Sequence, residues 1–137
     1  MNTRLILFAV LLVLAFTVGV YFVGRKSGGL NRSQLSKEAK DRLDAEIRAE
    51  KIPLSIDRKL ASSFASELLK SMQGWGTDEE AIYKILDSLA GRADYLLVKK
   101  EFGLAGGRNL EEWLEDEFNF WDGQRINQIL ARFNVQL

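Results

Sequence analysis

The sequence predicts an all-α protein: an N-terminal transmembrane helix, a charged helical spacer and a five-helix domain. Three observations carry that expectation. Leu5–Val23 is an apolar run without a charge, flanked by Arg4 and by Arg25 and Lys26. Beyond Pro53, apolar residues recur at helical spacing in five successive segments separated by Gly, Asn or Asp. No stretch alternates apolar and polar residues as a half-buried strand does.

At about 1.5 Å per residue, the run from Leu5 to Val23 is about 28 Å long, close to the hydrocarbon thickness of a bilayer. It exceeds the h-region of a cleaved signal peptide, and no Ala-x-Ala site follows it. It therefore reads as an uncleaved signal anchor. Residues 24–54 read as a linker, flexible at Gly28-Gly29 and helical from about Ser33 to Lys51. Leu35, Ala39, Leu43 and Ile47 give that helix one apolar residue per turn, narrower than a core-facing stripe. With Glu38–Arg42 and Asp44–Arg48 as i,i+4 pairs, the expectation is a solvated spacer, with a coiled-coil seam as the alternative.

Residues 55–137 form the predicted domain. Ser55 is placed to cap a first helix, with Ile56, Leu60, Phe64, Leu68 and Met72 on one face. Gly74 is read as the positive-φ residue just past its end. Thr77 and Glu80 form a capping box for a second helix burying Ile82, Ile85, Leu86 and Leu89. A third helix runs from about Arg92 to Phe102, and Gly103 then breaks the chain. Asn109 and Glu112 form a second box, opening a helix with Leu110, Trp113, Leu114 and Phe118. Asp122 caps the last, which carries Ile126, Ile129, Leu130 and Phe133.

Composition narrows the chemistry. With no Cys and no His, disulfides, thiolate nucleophiles and His-based triads are unavailable. The charge is zero overall but +5 over residues 1–60 and −5 over residues 61–137. An acidic domain lacks the clustered Lys and Arg that nucleic acid requires, so no nucleic-acid partner is expected. Glu111 to Glu117 lie on one helix and do not flank a substrate as two opposed carboxyls must, so no enzyme is expected.

The stretch Met72-Gln-Gly-Trp-Gly-Thr-Asp-Glu-Glu80 is more specific than a turn requires, and it resembles the opening of an annexin repeat. The five helices match the family's order A to E, and the resemblance covers Leu60 to the C-terminus. It implies that backbone carbonyls of Met72, Gly74 and Gly76, with a carboxylate about forty residues later, bind calcium. Gly107-Arg-Asn-Leu110 stands where the family has Gly-Arg-Asp-Leu, which puts that carboxylate at Glu117; Asp116 follows only if a one-residue insertion near Gly106 is ignored. The chain departs from the family in having one repeat and an aromatic D–E connection. The resemblance also implies that Trp75, and Phe120 and Trp121 in that connection, face a phospholipid membrane; covering the small core is their other use.

The expected function is thus calcium-dependent binding of a phospholipid surface. A calcium-independent helical module that binds a protein partner or a second copy is the alternative. Three neutral carbonyls and one carboxylate make a weak site, suited to extracellular calcium, which favours an extracytoplasmic domain. The basic residues following the anchor, Arg25, Lys26, Arg32 and Lys37, favour the opposite orientation.

Overall fold

Helix Arg92–Phe102 makes the two most extensive helix contacts of the fold, with helices Lys37–Ala49 and Arg58–Gln73. Every residue from Ala93 to Val98 is buried, as befits a helix covered on all sides. In this computed structural model, which describes residues 32–74, 76–118 and 123–137, it is the fourth of six helices. The order is β1 (Arg32–Ser33), α1 (Lys37–Ala49), α2 (Arg58–Gln73), α3 (Glu79–Ser88), α4 (Arg92–Phe102), β2 (Leu104–Ala105), α5 (Leu110–Phe118) and α6 (Gly123–Ala131). The predicted anchor Leu5–Val23 lies outside the described residues. Among those described, no helix is long and apolar enough to cross a membrane.

The all-α expectation holds, with one small addition. β1 and β2 form an antiparallel pair, Arg32 opposite Ala105 and Ser33 opposite Leu104. Gly103 makes the pairing possible: its φ is +63°, and a Cβ there would lie 2.2 Å from the Ser33 carbonyl oxygen. A left-handed residue without a side chain is what this close approach demands.

The helix expected to be a solvated spacer is docked. α1, capped by Ser36, lies on α4 with Leu43 only 7% exposed and Ile47 packed against the core. Asp44 pairs with Lys100 at 2.5 Å rather than with Arg48, and Glu46 and Glu50 reach Arg92 at 2.7 and 2.9 Å. A narrow apolar stripe suffices because flanking ion pairs close the contact.

α2 begins at Arg58, and its cap is Asp57, which accepts from the Leu60 N–H at 2.8 Å. Ser55 serves elsewhere: its N–H and hydroxyl donate to the Asp94 carboxylate at 2.7 and 2.5 Å. The buried face of α2 is also rotated from the expected one. Ala61, Ala65, Leu68 and Met72 point inward, while Leu60 is 42% exposed. Small residues on that face let α2 approach α4 closely, and the bulky Leu60 is displaced to the rim.

The remaining core is aromatic and aliphatic. Tyr95 stacks on Phe133 at 5.1 Å between ring centroids, and Tyr83 tilts against Phe118 at 5.6 Å. Trp113 is buried, and its indole N–H donates to the Ala105 carbonyl at 2.9 Å, fastening α5 to β2. The Asn109–Glu112 box forms as read: Glu112 N–H to Asn109 Oδ1 at 3.0 Å, Asn109 N–H to Glu112 Oε2 at 2.7 Å. The proposed cap of α6, Asp122, lies outside the described residues.

Candidate functional site

The chain leaves α2 at Gln73 and enters α3 at Glu79 through a loop closed at its base. The Asp78 N–H donates to the Ser71 carbonyl at 3.0 Å. Asp78 also caps α3, accepting from the Ala81 N–H at 3.1 Å, so the expected Thr77–Glu80 box gives way to a cap one residue later. Gly74 has φ −77° and an extended ψ, so it is not the left-handed residue; Gly76 is, at φ +76°. Nothing lies within 4 Å of a Cβ built on Gly76, so backbone conformation rather than space sets that position. The Gly76 carbonyl oxygen turns back to 3.6 Å from where a Gly74 Cβ would sit.

Thr77, freed from capping, donates its hydroxyl to Glu117 Oε2. That bond joins the loop to the last turn of α5. Asp116 points elsewhere and pairs with Arg108, whose guanidinium lies 4.1 Å from the centre of the Trp113 ring. Of the two adjacent carboxylates, Glu117 is the one brought to the loop. The other acids of α5 are largely committed: Glu111 accepts from the Tyr95 phenol at 2.9 Å and pairs with Lys99 at 2.8 Å, while Glu112 closes the capping box. Burial, reinforced by Glu111, holds the Tyr95 phenol well above its ordinary pKa.

The donors around the loop suit a hard cation in kind: backbone carbonyls and one carboxylate. Met72 has a buried side chain, so only its carbonyl is relevant. The carboxylate count is low, because among the described residues no three acidic, His or Cys groups stand together to hold a metal. Glu117 Oε2 already carries the Thr77 hydroxyl, so a bidentate role requires that oxygen to be shared. Trp75, Phe120 and Trp121 lie outside the described residues.

A second polar constellation was not anticipated from sequence. Asp94 is 1% exposed and accepts from the Ser55 N–H, the Ser55 hydroxyl and the Ala90 N–H at 2.9 Å. Burial pushes its carboxyl up, but the hydrogen bonds from Ser55, Ala90 and Ile56 outweigh it and leave the pKa below the ordinary value. The available signal was an acid three residues into a helix that opens on Gly91, which has no side chain to cap with.

No family model, curated protein or solved structure matches the chain.

Proposed function

We propose that the helical unit binds calcium weakly through the α2–α3 loop and Glu117, and that the bound ion holds a phospholipid surface. The contact between the Thr77 hydroxyl and Glu117 carries this reading, because it joins the glycine loop to the carboxylate forty positions on. Carbonyls of Met72, Gly74 and Gly76 supply the remaining protein oxygens, as the resemblance to an annexin repeat implies. The ion's open positions take water or lipid phosphate. Leu5–Val23 anchors the chain, with the helical unit on the extracytoplasmic side, where calcium is abundant enough to fill a weak site.

Calorimetry on the full chain in an uncharged detergent tests the reading. Calcium binding is expected, abolished by Glu117→Gln and little changed by Asp116→Asn. Binding is expected to tighten when phosphatidylserine is added to the micelles. Absence of calcium binding up to about 10 mM, beyond the range of weak extracellular modules, overturns it.

A second reading is a calcium-independent interaction module. The thin carboxylate count favours it, and the Thr77 bond then serves as a latch that stabilises the loop. On that reading Glu117→Gln lowers stability while the wild type binds no calcium.

A further inference from the structure

We propose that the crevice bounded by β1, α1, α2 and α4 is a binding site for a phosphate-bearing anion. It has a volume of about 660 Å³ and is lined by Arg32, Lys40, Arg58 and Lys100, with Glu101 as the one carboxylate among the described lining residues. These cations come from four elements spread over the chain from residue 32 to residue 100. They converge by folding, and no single helix face presents them.

Two of the four cations are held by neutral acceptors and two by carboxylates. Arg32 is fixed by bonds to the Glu101 carbonyl at 3.2 Å and to Ser66 Oγ at 2.8 Å, both neutral acceptors. Lys40 is held by the neutral Gln34 side chain. Arg58 uses only its Nε on Glu101, at 2.9 Å. Its terminal amino groups have no partner among the described residues, and its side chain is 79% exposed. Lys100 is paired with Asp44. Counting Asp44 with Glu101, two carboxylates face four cations, so the crevice stays positive.

Two guanidinium forks and two ammonium groups around one space match an anion with several oxygens better than a single carboxylate. The Ser62 hydroxyl adds a further donor at the rim. The anion is a phosphate, either carried by a lipid headgroup or free. On the anchored reading above, Arg32 follows Val23 by nine residues, which span at most about 30 Å, so a headgroup is within reach.

The test is calorimetry on the full chain in dodecyl maltoside with EDTA present, which removes any contribution from calcium. The probes are inorganic phosphate, phosphatidic acid in mixed micelles, and phosphatidylcholine as the control. Binding of either phosphate probe is expected, weakening with salt and falling about tenfold in Arg58→Gln. A lipid source shows as binding of phosphatidic acid alone; equal binding of inorganic phosphate assigns a free anion. Ser62→Asp, which removes no ion pair, is expected to abolish binding while circular dichroism stays unchanged. Neither probe binding at millimolar concentration, or both variants binding like the wild type, overturns the proposal.

Discussion

Replacing Asp94 should damage this protein more than any change to its surface acids. Its carboxylate is buried and accepts from two backbone N–H groups and one hydroxyl, at 2.7, 2.9 and 2.5 Å. Asp94→Ala strands all three donors. With roughly 1–3 kcal/mol for each unsatisfied group and partial relief from water at exposed Ser55, the expected loss is about 3–5 kcal/mol. Asp94→Asn retains one acceptor but must set its amide against one of the two N–H donors, for a loss of about 1–3 kcal/mol. Because the folded carboxyl titrates below its unfolded value, its stabilisation is complete above the unfolded pKa near 3.9. That contribution disappears as the pH falls through the lower folded pKa, and Asp94→Asn should flatten this acid limb. Urea unfolding followed by circular dichroism between about pH 2 and 7 measures both effects. An Asp94→Ala chain within about 0.5 kcal/mol of wild type would refute the reasoning.

Leu43→Ala should lower stability by about 2–3 kcal/mol in the same assay, because α1 belongs to the folded unit; a change near zero would restore the solvated spacer. Gly103→Ala should destabilise by at least about 1–3 kcal/mol, since it combines a positive φ with a Cβ on the Ser33 carbonyl. Gly76→Ala, with open space around it, should cost only the conformational strain of about 1–2 kcal/mol.

The helices were legible because each carries a strong local signal. The Asn109–Glu112 box forms as a reciprocal pair, each side chain accepting from the other residue's N–H. Thr77 and Glu80 satisfy the same pattern, but Asp78 caps better by one residue and Thr77 finds a distant carboxylate. Local rules rank caps; they do not see partners forty positions away. The face of α2 was misread because large apolar residues were weighted above alanines, whereas close helix contact selects Ala61 and Ala65. Docking of α1 was hidden for a related reason, since its charges are ligands of Arg92 and Lys100 and not decoration for solvent. The basic crevice left no trace in sequence, because its four cations meet only in the folded chain.

The two carboxylates that α1 brings to Arg92 also bear on how the molecule carries tension. α4 opens on Gly91 without a side-chain cap bond; its first turn holds Asp94, which suits that end of a helix, and the cation Arg92, which does not. Glu46 and Glu50 offset it from outside, and the same guanidinium donates to the Phe133 carbonyl at 3.2 Å. A pull entering at the N-terminal end of the described chain therefore loads the two-residue β1–β2 pairing first and α1 second. Once α1 is drawn away, Arg92 loses both counter-charges, while the bonds of Ser55 and Ala90 to Asp94 still hold the first turn of α4. The chain thus yields to force in sequence, with α1 released before the turn that Asp94 holds.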